Sequence, residues 1–341
     1  MKKKTTIKDI AEALGLTPSG VSKALNDHPR ISDKTKKDVK KMAKKLNYQP
    51  NHLASALRKG KSNLIGVIIP RNNSNFFSSV VENIEGVLNE KGYNVIIAQS
   101  NESHEKECDC IDALLSAQVD GIIASMANET TNLKYYKKIK EKGTPLVLFD
   151  RGENALNVDY ICIDDYNSSL KVVEHLVNQG CKRIAHIAGS SNIRIYKERE
   201  IGYRDALKKY NLPIEDELII ECNLRLEDGR RIMKQLLELD EKPDAVYASG
   251  DYAALGALQV LQENHIKVPQ DIALIGFSNE PFTSFVSPAI STVNQHSEAM
   301  GKLAAETFLN RIENPDEKVS LNKITLNTEL IIRESSNKTN S

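Results

Sequence analysis

Pro18, Ser19, Ser22 and Lys23 are side chains suited by type and spacing to meet base edges in a DNA groove. They share one side of a short helical pattern, Pro18 to Leu25, whose other side carries Val21, Ala24 and Leu25. Hydroxyls and an ammonium on an exposed helix face can hydrogen-bond in the major groove. Thr17 is a natural N-cap for this helix, and Pro18 stands at its first position, where a missing N–H costs nothing. A preceding helix is predicted from Ile7, Ile10, Ala11 and Leu14, with Thr6 and Asp9 in a weak capping box. Gly15 ends it. Ser32 can cap a third helix whose stripe is Val39, Met42, Ala43 and Leu46. Two helices joined by a tight turn and braced by a third make a helix-turn-helix, with the second helix directed at the major groove.

Charge supports that reading. Residues 1–61 hold 16 Lys/Arg and 5 Asp/Glu, a net +11, so residues 62–341 carry −11 beneath a formal total of zero. A basic head suits a polyanion, and an acidic body repels one presented in the wrong orientation. At 341 residues the chain exceeds one ordinary domain of about 150 residues. No run of about 18 apolar residues occurs, so no membrane contact is expected. MKKKTTIKDI lacks the apolar stretch of a secretory signal, and the expected location is the cytoplasm. Five cysteines without a CxxC pair read as reduced thiols, and neither a metal nor a cofactor is expected. There is no GxGxxG, Walker loop, GxSxG or HExxH, so no catalytic residues are assigned.

The body alternates strands and helices. Apolar runs at 64–69, 95–98, 121–124, 146–149 and 160–163 are followed by a second set at 183–188, 218–222, 245–248 and 272–277. Helical patterns fall between them, among them 77–90, 197–209, 228–237 and 253–263. Such alternation implies parallel sheets covered on both faces, here as two successive subdomains. Ligands of open α/β sheets bind outside the carboxyl ends of the strands. At those ends stand Arg71 to Phe77, Asp150 with Arg151, Asp251, and Ser278 with Asn279.

TIKDIAEALGLTPSGVSKALN, ISDKTKKDVKKMAKKLNYQPN and SALRKGKSNLIGVIIP resemble the lactose/galactose-repressor (LacI/GalR) family of bacterial transcription regulators, and the likeness covers nearly the whole chain. The fold class this implies is an all-α helix-turn-helix head plus an α/β body of two Rossmann-like subdomains of the periplasmic-binding-protein type. The head would be residues 1–49, a hinge helix or linker 50–61, and a dimerising, ligand-binding core 62–341. Within the core, one subdomain would take 62–163 and 294–323, and the other 164–293 and 324–333, with crossovers near 163, 294 and 323.

The resemblance makes Pro18, Ser19 and Lys23 the base readers and Leu57 an apolar wedge in the minor groove. The full DNA-facing set is Thr6, Thr17, Pro18, Ser19, Gly20, Ser22, Lys23, Asn26, Arg30, Asn51, Ala54 and Leu57. Gly20 replaces a larger residue, and Lys23 stands where Arg is common, without the bidentate fork that Arg offers guanine.

In the cleft, Arg199 lies in a segment whose Arg commonly clamps ligand, and Asp251 matches the family's hydroxyl-binding acid. The expected ligand set is Asn73, Phe76, Phe77, Asp150, Arg199, Asp251 and Asn279, with one of the two phenylalanines in the core and the other facing the cleft. Asp150, Arg199 and Asp251 each have a structural reading too, as surface ion pair or helix cap. Leu224 replaces a stacking aromatic. The expected protein is a homodimeric, sequence-specific regulator, a repressor of a palindromic double-stranded operator, answering to a small-molecule effector of carbohydrate type. The competing readings are a regulator with no effector, or a sugar-binding protein or enzyme carrying a DNA-binding head.

Overall fold

Two units make up the chain, Met1–Ser62 and Asn63–Ser341. The structure, a computed structural model, describes residues 5–48, 61–314, 321 and 323–338. In the first unit, helices α1 (Ile7–Leu14), α2 (Pro18–Leu25) and α3 (Asp33–Lys45) enclose Ile10, Ala11, Val21, Ala24, Val39 and Ala43. Local chemistry sets each boundary. The Asp9 carboxylate accepts from the Thr6 N–H (2.6 Å) and hydroxyl (2.8 Å). Gly15 takes the left-handed conformation that closes α1, at φ +61°. The Thr17 hydroxyl accepts from the Gly20 N–H at 3.1 Å, and Ser32 does the same for Thr35 at 3.2 Å. A Cβ at Gly20 would stand 3.2 Å from the Thr17 hydroxyl, so the missing side chain leaves that cap its room. Thr17→Ala is expected to cost the head about 1 kcal/mol. Amide exchange at residues 20–25 in the full chain would report it, and unchanged protection would show the cap to be idle.

The second unit is built on two parallel sheets. The strands are β1 (Leu64–Ile69), β2 (Asn94–Gln99), β3 (Gly121–Ala124), β4 (Leu146–Phe149), β5 (Asp159–Ile163), β6 (Ile184–Ala188), β7 (Ile219–Glu221), β8 (Ala245–Ala248), β9 (Ala273–Ile275), β10 (Thr292–Asn294), β11 (Lys323–Leu326) and β12 (Glu329–Ile331). The first sheet runs β11-β5-β4-β3-β1-β2 and the second β7-β6-β8-β9, while β10 and β12 form an antiparallel pair. Central strands such as β3, β4 and β8 are buried along their whole length, as helices on both faces require.

A strand of the first sheet lies at the crossing expected near residue 323. Lys323–Leu326 pairs in parallel with Tyr160–Ile163, and Ile324 and Leu326 pack on the core. It thereby covers the backbone edge of β5 that would otherwise stand open. The helices Leu226–Leu237 and Asp251–Glu263 meet through Gly229 and Gly256. A Cβ on either glycine would come within 2.0 Å of a carbonyl oxygen of the facing helix. This close approach places the start of the second helix, with Asp251, against the loop at Leu224. All five cysteines are free, and the described residues contain no group of three metal-binding side chains and no helix long and apolar enough to cross a membrane.

Candidate functional site

On the head, Thr6, Thr17, Pro18, Ser19, Lys23, Asn26 and Arg30 are exposed, and Gly20 and Ser22 are half-buried. From Thr17 to Asn26 these positions lie on and around α2. Two of the side chains are also used locally, Thr17 as the cap and Asn26 as a donor to the Ser22 carbonyl at 2.7 Å. Asn51, Ala54 and Leu57 lie outside the described residues.

In the core, the carboxyl ends of the two sheets face a cleft that encloses about 660 Å³ of empty space, part of it continuous with solvent. Phe76, Phe77, Asp150, Arg199 and Asp251 all line it. The two phenylalanines are both buried and both border the cleft, set edge to face at 5.1 Å, so the expected division between core and cleft does not hold. They begin the helix Asn75–Glu90, and consecutive residues in a first turn can both border the cavity at its end.

Asp150 follows β4 in the left-handed conformation, at φ +56°, and is buried. Burial pushes its pKa up against the opposing pull of Arg151 and Arg199. Arg151 donates to Glu102 (2.7 Å) and to the Tyr196 hydroxyl (3.1 Å). Its guanidinium lies 5.7 Å from the ring centres of both Phe77 and Tyr196. Its Nε has no hydrogen-bond partner and stands 3.7 Å from Asp150. Glu102 also holds Arg71 (3.1 Å) and the Asn128 N–H (3.0 Å). Burial alone would raise the Glu102 pKa, but Arg151, that N–H and Arg71 outweigh it and hold the carboxylate below its usual range.

Arg199 is 2% exposed and committed to the protein itself. It donates to Asp165 (2.8 Å) and to the Ser249 carbonyl (3.0 Å), and its guanidinium stacks 3.6 Å above the Phe277 ring. Burial pushes the Asp165 pKa up to about 7, with Arg199 pulling it back. Asp251 is committed too. One oxygen accepts from the Glu280 N–H (2.7 Å) and the other from the Thr292 hydroxyl (2.6 Å). Burial drives its pKa up to about 7 in spite of those bonds. Its carboxylate organises the cavity wall and leaves neither oxygen without a partner.

Two expected ligand residues stand elsewhere. Asn73 borders the neighbouring mouth of the cleft, where its carbonyl accepts from the Tyr252 hydroxyl at 3.3 Å. Asn279 does not line the cavity: its side-chain oxygen accepts from Arg333 at 2.9 Å and its N–H donates to Thr292 at 3.1 Å.

Glu102, Tyr196, Tyr252 and Glu280 line the cavity without having been singled out in the sequence. One backbone signal runs through the rim. Glu102, Asp150, Leu224 and Ser278 line the cavity with positive φ, a strained backbone often found at functional sites. The buried His186 is structural, stacked on Tyr203 and Tyr247, and burial takes its pKa down to about 3.

Residues 6–51 match the model for bacterial regulatory proteins of the lacI family, and residues 173–336 match that for a periplasmic binding protein-like domain. The chain is 32% identical over 334 residues to the probable HTH-type transcriptional repressor ExuR of Bacillus subtilis (strain 168), covering 97% of this chain and 98% of that one. It is 31% identical to catabolite control protein A of Priestia megaterium, over 88% of this chain and 90% of the relative. Among solved structures it resembles a transcriptional regulator CelR–cellobiose complex, with TM-score 0.74 and 26% identity over 97% of this chain and all of that one. It shares the fold of the lac repressor dimer bound to operator and the anti-inducer ONPF, with TM-score 0.85 and 22% identity over 98% and 99% of the two chains.

Proposed function

The chain belongs to the LacI family of bacterial regulatory proteins, and from that premise we propose a homodimeric repressor whose grip on a palindromic operator is set by a carbohydrate-type effector in the core cleft. The observation that carries the effector reading is the wall of the cleft. It combines the aromatic residues Phe76, Phe77 and Tyr196 with buried hydrogen-bonding groups on Glu102, Asp150 and Arg151. A polyhydroxyl ring has apolar faces and a polar rim, and a small number of placed polar groups among aromatics suits it. The solved relative with cellobiose points the same way.

The head contributes α2 with its exposed Pro18, Ser19 and Lys23, doubled by two-fold symmetry, so that half-sites mirror the dimer. Residues 50–61, with Leu57 as wedge, join the head to the core. An effector that bridges the two lobes, each a parallel sheet with its helices, favours one setting of their pivot, and the pivot sets the spacing of the two heads.

Ligand and DNA are then linked, and linkage is reciprocal. The test measures operator affinity across a panel of sugars and sugar phosphates, and the affinity of each active compound with and without operator. At least one compound is expected to change operator binding by about 5- to 150-fold, with the same factor in the reverse measurement. A panel that shifts neither affinity would end the effector reading and leave a regulator governed by DNA alone.

A further inference from the structure

Glu280 reaches from one lobe to cap a helix of the other. Its carboxylate accepts from the Ser74 hydroxyl (2.7 Å), the Asn75 N–H (3.1 Å) and the Phe76 N–H (3.4 Å). These are the N-cap hydroxyl and first two amides of the 16-residue helix Asn75–Glu90, and Ser74 makes no side-chain cap bond to that helix. The amides and the positive pole of a helix start form an anion site, here satisfied from across the cleft. Glu280 is 4% exposed, and its own N–H is fixed by Asp251, which Thr292 fixes in turn. The Tyr252 hydroxyl makes a second strut to the Asn73 carbonyl beside it.

We propose that Glu280 is an internal anionic ligand that joins the two lobes and decides what the cleft accepts. By filling the anion site of the helix Asn75–Glu90, it turns effector carboxylates and phosphates away from that end of the cavity. The exclusion rests on the effector reading of the cleft, whereas the joining of the lobes stands without it.

The experiment follows thermal unfolding of the full chain, with sodium chloride exchanged for sodium acetate at constant ionic strength. Wild type is expected to be indifferent to the exchange. Glu280→Ala should melt several degrees lower and recover saturably with acetate, which replaces the group removed. Glu280→Gln keeps the shape but sets an amide NH2 against the Asn75 N–H, so it should melt lower without rescue. Wild-type melting in both variants, or acetate raising all three proteins alike, would overturn the proposal. Should Glu280→Ala fail to fold, Glu280→Gln decides alone: wild-type melting overturns the proposal and a lower melting temperature supports it.

Titration with D-glucose and D-glucuronate tests the exclusion. A gain for glucuronate over glucose in Glu280→Ala relative to wild type supports it, and an unchanged preference overturns it. Acetate rescue in a protein that binds no member of the sugar panel removes the effector reading and keeps the cap between lobes.

Discussion

Arg199→Met is expected to cost the core about 3–5 kcal/mol of folding stability, the penalty for leaving one half of a buried ion pair alone. Asp165, whose side chain is wholly buried, would keep its carboxyl without the guanidinium that pairs with it, and one of its oxygens already lacks a hydrogen bond. The Ser249 carbonyl would lose a donor and Phe277 its stacked cation. The double change Asp165→Val with Arg199→Met should recover much of the loss, because replacing both members of a buried pair by apolar residues of similar volume is often close to neutral. Urea unfolding of the single and double variants measures both terms. A single variant within about 1 kcal/mol of wild type would mean that the site relaxes or hydrates at little cost. The result also bears on effector work: Arg199 faces the cleft, but a loss of ligand response in its variants is uninterpretable until stability has been measured.

Operator affinity should fall about a thousandfold or more between roughly 50 and 200 mM salt if each dimer neutralises six to ten phosphates. Lys23 and Arg30 are exposed on the head, as are Lys34, Lys37, Lys41, Lys44 and Lys45 along α3. Lys40 is partly neutralised by Asp27 at 2.7 Å. The body, at −11, contributes repulsion in place of grip. Fluorescence anisotropy on a selected palindrome and on one isolated half-site gives the slope. Tight binding to the half-site, or a flat salt response, would contradict a dimer that reads DNA through two basic heads.

The strands were legible because runs such as Leu64–Ile69, Leu146–Phe149 and Ala245–Ala248 are apolar without interruption, which in this alternating pattern means a parallel strand buried on both faces. The head was legible because its caps act over three residues of sequence. Two helices start ahead of their apolar periodicity. The periodicity predicts starts at Lys197 and Ala253, but the helices begin at Arg194 and Asp251. Those first turns contain Tyr196, Asp251 and Tyr252, which border the cleft and so fall off the apolar stripe that marks the rest of each helix.

Side-chain commitments across the fold were not legible at all. Glu280 meets a helix cap 206 residues away, and Asn279 is drawn off by Arg333, 54 residues on. The two donors that occupy Asp251 lie 29 and 41 residues further along the chain, beyond the reach of any local pattern. Sequence position located the strand ends where a ligand could sit, and only the packed structure showed which polar groups there were already spoken for.

One edge of the first sheet is made by residues translated after the whole of the second sheet. As the polypeptide leaves the ribosome, β1 to β5 can collapse with their helices long before Lys323–Leu326 exists. Until then Asp159–Ile163 presents an unpaired backbone edge, the kind of surface on which nascent chains pair wrongly with one another. The first lobe therefore reaches its native form only after the second has been synthesised, and the two are obliged to mature together.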